Sequence, residues 1–242
     1  MLLALFLAAS LDAATPAPTP SSSSVSATAP RPLRVVVFDV VTNWRSDDIT
    51  EMYALATDAH APSSSAYKNR HGTITIEVMG RMADGALAVR EDEDWIDESK
   101  LGPTNAIVSP NGVLSLDPTI TLQRQYLLAE LLPYFGTKFA PDGALDTTTR
   151  WTMESKPSGT TISTQYAITA TSGVDVTVHK VETIKSIGTA AVEGTTLYEP
   201  SMLLPLSGTV TRRETAMYTD GQTSTTLNIT FKLLSDSFRR AQ

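Results

Sequence analysis

The 242-residue chain has no cysteine. Disulfides, thiolate zinc sites and cysteine nucleophiles are excluded together, and the fold must stand on its buried core. Histidine is nearly as scarce. His60, His71 and His179 are the full set, without an HExxH or any short spacing, so they read as three surface imidazoles rather than zinc ligands. Positive charge is in deficit: 19 Lys and Arg stand against 26 Asp and Glu, a net charge of −7. That balance argues against nucleic acid or an anionic membrane as the main partner, since both need a basic patch. Aromatic residues are few, 7% of the chain. Trp44, Trp95 and Trp151 are too far apart for a stacking platform, and Trp151 reads as a core anchor. There is no G-x-S-x-G elbow and no glycine-rich phosphate loop, so serine hydrolases of that type and phosphate-cradling folds have no signature here.

Long hydrophobic runs are also missing. The apolar stretch Leu2–Ala9 is far short of the roughly 20 residues that span a bilayer. It fits the apolar region of a signal peptide, followed by the small residues Ala13 and Ala14, although a basic start is absent. "FLAAS" approaches a lipobox, but Ser10 occupies the place of the lipidated cysteine. These features predict a signal peptide over 1–14 and an exported chain, periplasmic or extracellular, without a lipid anchor or a transmembrane span. "TPAPTPSSSSVSATAPRP" cannot bury enough apolar area to offset its ordering entropy, so 15–32 reads as a disordered linker. The remainder, 33–242, reads as one β-rich domain.

Within that domain, strands and tight turns dominate. "LRVVVFDVV" (33–41) is rich in β-branched residues. Ile74, Ile76 and Val78 alternate with Thr73, Thr75 and Glu77, and Asp84-Gly85 supplies a turn. Asn111-Gly112, Ser172-Gly173 and Asp220-Gly221 repeat that logic between further alternating runs. Pro200 and Pro205 predict an edge, bulge or break. Ser46 or Asp47 is a candidate cap for a short helix through Ala56, with an irregular insertion as the alternative. The acidic run "REDEDWIDES" (90–99) has no glycine where a calcium loop turns, and is read as a solvated, charge-bearing loop. Asn228 opens a glycosylation sequon in mid-strand.

One segment departs from this pattern. "DPTITLQRQYLLAELLPYFG" (117–136) places Ile120, Leu127, Leu128, Leu131 and Phe135 on one helical face. Asp117 is the expected N-cap and Pro118 the first helical residue. Pro133 should end or tighten the helix, with Gly136 suited to a left-handed cap. The fold class is therefore mainly β (α+β): a curved antiparallel meander sheet or half-barrel packed on one main helix at about 118–135. A sheet apolar on one face needs a cover, and this helix is the element available.

Several segments carry a resemblance: "GTITIEVMGRMADGALAVRED", "SPNGVLSLDP", the leucine-rich helix followed by "FG", "RWTMES", and "LLPLSGTVTRRETAMYT" with "TTLNITFKLLSDSF". In these the chain resembles a group of uncharacterised exported bacterial β-rich proteins, similar in outline to the half-barrels of periplasmic lipoprotein carriers. The resemblance implies a curved sheet partly wrapped around a helix and brings no catalytic residues with it. The leading expectation is a non-enzymatic exported protein that binds a lipid-like or other hydrophobic ligand in a groove between sheet and helix. Leu127, Leu128, Leu131 and Phe135 are the expected lining, and no cofactor or metal is expected. Two alternatives stand beside it. One is a structural or interaction module of the cell envelope, using the Thr-rich face or an edge near Pro200–Pro205. The other is a hydrolase with a non-standard carboxylate pair, marked by two close acids of raised pKa in an open cleft.

Overall fold

The computed structural model describes residues 31–50, 64–155, 162–185, 188–218 and 221–239. The expected signal peptide, most of the expected linker and His60 lie outside the described residues, as does the part of the candidate early helix beyond Thr50.

Among the described residues, eleven strands form one antiparallel sheet. In chain order they are β1 (Arg34–Thr50), β2 (Ser64–Arg81), β3 (Leu87–Trp95), β4 (Thr104–Val108), β5 (Leu114–Leu116), β6 (Arg150–Ser155), β7 (Ile162–Ser172), β8 (Asp175–Lys185), β9 (Gly188–Glu199), β10 (Leu204–Tyr218) and β11 (Gly221–Asp236). The spatial order is β5-β4-β3-β2-β1-β11-β10-β9-β8-β7-β6. The first half is thus a meander that runs outward from β1 to the β5 edge, the second one that runs back from the β6 edge to β11 beside β1, and the sheet stays open.

The turn residues behave as their chemistry requires. Gly85, Gly112 and Gly173 all have positive φ, the conformation that glycine enters without steric cost. Pro200 opens a short 3₁₀ turn, Pro200–Met202, and the register slips between Pro205 and Ser207. The proline break is therefore present, but its expected role as a sheet edge is not. β9 and β10 are paired on both sides, and the free edges are β5 and β6. The helix reading at Ser46 and Asp47 is also corrected. Both residues continue β1, opposite Thr225 and Ser224 of β11, because pairing to a long partner overrides a local capping signal.

The α-helix among the described residues, α1 (Leu122–Leu131), lies between β5 and β6 in the chain. Its neighbours in sequence are the two opposite edges of the sheet, so this connection must cross the sheet face. The helix starts later than expected. Thr121 is the N-cap and its hydroxyl accepts the Arg124 amide, while Asp117 accepts from the Thr119 amide and hydroxyl in a tight local turn. At Pro133 the helix tightens into a 3₁₀ turn, Leu132–Phe135. Gly136 does not adopt the left-handed conformation expected of it; its φ is −64°. A Cβ there would stand 2.5 Å from the Gly112 nitrogen and 2.7 Å from the Pro110 carbonyl. Close backbone approach is what requires glycine at this position, and the adjoining Lys138 amide donates to Pro110 at 2.7 Å. The end of the helix is thereby clamped to the β4–β5 hairpin.

Leu127, Leu128, Leu131 and Phe135 are buried against Val36, Phe38 and Val40 of β1, Ile74 and Ile76 of β2, and Ile229 and Phe231 of β11. Burial of this kind contributes about 1.5–3 kcal/mol per side chain before entropy. A second, aromatic core lies toward β6–β9. There Tyr134, Phe139, Tyr166 and Tyr198 pack together, and Trp151 stacks on Tyr166 with ring centroids 5.1 Å apart.

Candidate functional site

A cavity of about 440 Å³ lies beside α1. One wall is the β4–β5 hairpin with Val113, Leu114 and Leu116, and the opposite wall holds Met153, Ile162 and Ile184. These walls belong to opposite edges of the sheet. Laid flat, ten inter-strand spacings of about 4.8 Å would hold such edges roughly 48 Å apart. Lining by both edges therefore means that the sheet curls until its ends face one another across the helix. The cavity occupies the seam that a closed barrel would have sealed.

The helix contributes Gln125, Tyr126 and Ala129 to the cavity, and the 3₁₀ turn after it Pro133. The four residues expected from the sequence, Leu127, Leu128, Leu131 and Phe135, are among the buried core residues and not on the lining. They point at the sheet, and the cavity opens on the flank of the helix instead.

The remaining wall is polar and follows from strand alternation. On β8, Val176, Val178 and Lys180 share the buried face, and on β10 Val210 is followed by Arg212. In both strands the inward row changes from aliphatic to charged partway along. Lys180 Nζ donates to Glu130 Oε2 at 2.6 Å, and both side chains are buried. Arg212 donates through Nε to Glu214 Oε1 at 2.7 Å, and its Nη1 stands 3.6 Å from Glu182 Oε1. The guanidinium also lies 3.9 Å from the centre of the Tyr126 ring. The Tyr126 hydroxyl donates to Glu214 Oε2 at 2.9 Å, and the Thr164 hydroxyl donates to Glu182 Oε2 at 3.0 Å.

Burial opposes the charge on Lys180, but the carboxylates of Glu130 and Glu182 more than offset it and hold the ammonium above the ordinary lysine range. Burial, with the Glu214 charge, pushes the Tyr126 phenol up to about 12. Both groups therefore keep their protons at neutral pH.

The acidic run is a solvated turn only over 96–99. Residues 90–95 belong to β3, and Glu91 and Glu93 lie on the same buried face as Leu87, Val89 and Trp95. Alternation from Leu87 places them there, and helical spacing places Arg124 four residues before Leu128 on the buried face of α1. Both signals were present in the sequence. Arg124 Nε donates to Glu91 Oε2 at 2.7 Å, and Arg124 Nη1 donates to the Gly102 carbonyl at 3.0 Å. The Trp95 indole donates to Glu93 Oε2 at 2.6 Å, with the Arg70 guanidinium 3.8 Å from the Trp95 ring centre. Burial, reinforced by the Glu93 charge, pushes the Glu91 carboxyl up to about 7 against the attraction of Arg124. These two close acids are completely buried and do not line the cavity, so they are not the open carboxylate cleft that a hydrolase would need.

A carboxyl with a raised folded-state pKa binds more protons folded than unfolded. Its contribution favours folding at low pH and is lost as pH rises from about 4.5 to about 7. Glu91→Gln should remove this component. The drop in stability between pH 5 and pH 8, read from urea midpoints, is expected to shrink by on the order of 1–3 kcal/mol in the variant. An identical drop in both proteins would contradict the buried-carboxyl account.

Among the described residues, no group of three or more His, Asp or Glu side chains is arranged to hold a metal ion. His71 pairs with Asp39 at 2.8 Å, and His179 stands 3.8 Å from Glu193. No described helix is long and apolar enough to cross a membrane.

No family model matches the chain, and no curated protein matches it in sequence. Among solved structures it is similar to one titled "Lipid-protein interactions in lipovitellin", at 12% identity and a TM-score of 0.46. The likeness covers 88% of this chain and 26% of that one, so the chain spans about a quarter of that structure's length.

Proposed function

We propose that this chain is an exported, non-enzymatic binding protein that holds a lipid-like or other hydrophobic ligand in the seam between α1 and the two sheet edges. The observation that carries the proposal is the cavity itself. Its 440 Å³ falls within the roughly 300–1,000 Å³ typical of small-ligand sites. Its aliphatic walls from opposite edges surround a small number of placed polar groups, the usual make-up of such a site. Binding is favoured over catalysis because the cations Lys180 and Arg212 are already engaged by carboxylates. Export rests on the apolar N-terminal run and the small residues after it.

Ala129 lines the cavity from a rigid helix, so a larger side chain there would fill the space directly. Wild-type protein is expected to bind a hydrophobic fluorophore saturably, with displacement by dodecanol. Ala129→Phe is expected to bind it at least tenfold more weakly while keeping its far-ultraviolet circular dichroism. Equal binding by both proteins would place the ligand elsewhere, and saturable binding by neither would end the proposal.

A further inference from the structure

The polar wall carries more negative than positive charge. Among the described residues, Lys180 and Arg212 are the cations on it, and Glu182 lines the cavity with them. Glu130 and Glu214 stand directly behind as their ion-pair partners. That is three carboxylates against two cations, and the exposed Glu154 adds a further negative charge to the lining.

The carboxylates are not equally satisfied. Glu130 accepts a charged bond of 2.6 Å from Lys180. Glu214 accepts from Arg212 at 2.7 Å and from Tyr126 at 2.9 Å. Glu182 receives no charged hydrogen bond from the described residues: it accepts from the neutral Thr164 hydroxyl at 3.0 Å, Arg212 Nη1 approaches to 3.6 Å, and its charge acts on Lys180 through space. It is the one of the three without a charged hydrogen bond, and the one that lines the cavity. A partly desolvated carboxylate gains most from a donor or cation placed against it, whereas an incoming anion would have to displace a carboxylate or sit beside one.

From this we infer that the cavity selects a cationic amphiphile, an alkylammonium with its head group on Glu182 and its chain between the aliphatic walls, and discriminates against fatty carboxylates. The inference rests on the reading of the cavity as a ligand site.

The test is calorimetric titration at pH 7 with dodecylammonium, dodecanol and dodecanoate, each below its micelle concentration. Dodecylammonium is expected to bind at least tenfold more tightly than dodecanoate. Glu182→Gln should weaken dodecylammonium about tenfold and change dodecanol less than twofold. Dodecanoate binding as tightly as dodecylammonium, or an ammonium preference unchanged in Glu182→Gln, overturns the inference while dodecanol binding leaves the cavity reading standing. Undiminished dodecylammonium binding by Ala129→Phe also overturns it, since that result reports surface attraction to an acidic protein. If none of the three ligands binds, the cavity reading fails and the inference with it.

Discussion

Arg124→Ala is expected to destabilise the protein by about 3–5 kcal/mol, the cost of leaving a buried charge without its partner. Arg124 projects from the buried face of α1 with its guanidinium on Glu91 at 2.7 Å and 3.6 Å from Glu93, and both carboxylates are completely buried. With the guanidinium removed, no other cation among the described residues contacts Glu91, which must then be protonated or drag water into the core. The loss should therefore be larger at pH 8 than at pH 5, because at low pH the carboxyl can neutralise itself. The triple variant Arg124→Met, Glu91→Gln, Glu93→Gln is expected to recover much of the loss, since replacing the members of a buried ionic group together is often nearly neutral, and Arg70, which stands 3.6 Å from Glu93, keeps Glu98 at 3.0 Å. Urea unfolding at the two pH values measures each case. A loss under 1 kcal/mol in Arg124→Ala at pH 8 would contradict the pairing.

Gly112→Ala is the second large effect, expected at roughly 3 kcal/mol or more from backbone strain and overpacking together. Gly112 has a φ of +82°, and a Cβ there would meet the Pro133 carbonyl oxygen at 2.6 Å. Neither atom can move alone, because this is where the β4–β5 hairpin is clamped to the end of the helix. Relief requires the hairpin to lift away, and with it Val113 and Leu114 from the cavity wall. The variant is thus expected to lose ligand affinity as well as stability. Gly143→Ala is the comparison: φ is +107° there, but nothing lies within 4 Å of the added Cβ, so strain acts without a clash. Equal thermal shifts for the two variants would show that the close approach at Gly112 contributes nothing.

Much of the fold was legible because its signals are local. Asp84-Gly85 and Asn111-Gly112 mark hairpins through the backbone conformations that glycine permits, and Leu127, Leu128, Leu131 and Phe135 mark a helix face through spacing alone. The helix start was misplaced because Asp117 satisfies its neighbours in a turn that leads away from β5, and Thr121 caps instead. The buried charges were a different kind of miss. Alternation continued from Leu87 and Val89 carries Glu91 and Glu93 onto the inward row, and the helical period carries Arg124 onto the buried face. The acidic composition of the run favours a solvated loop, and the period of the strand overrides it. Their partners could not be read at all, since the ion pair joins residues 33 positions apart through packing. The cavity was illegible for the same reason. It exists because β5 and β6, separated by the whole sheet in strand order, meet again across α1. No local pattern records how far a sheet curls.

The central claim is that a hydrophobic ligand sits in this seam and not on the surface or in the core beneath the helix. Methyl chemical shifts followed during titration with dodecanol test it most directly, because they report on position. Saturable shifts are predicted for the methyl groups of Met153, Ile162 and Ile184 on one wall and Leu114 and Leu116 on the other, with Leu128 and Leu131 nearly unmoved. Shifts confined to the exposed Ile96, Met217 and Leu234, with the cavity methyls silent, would contradict the account.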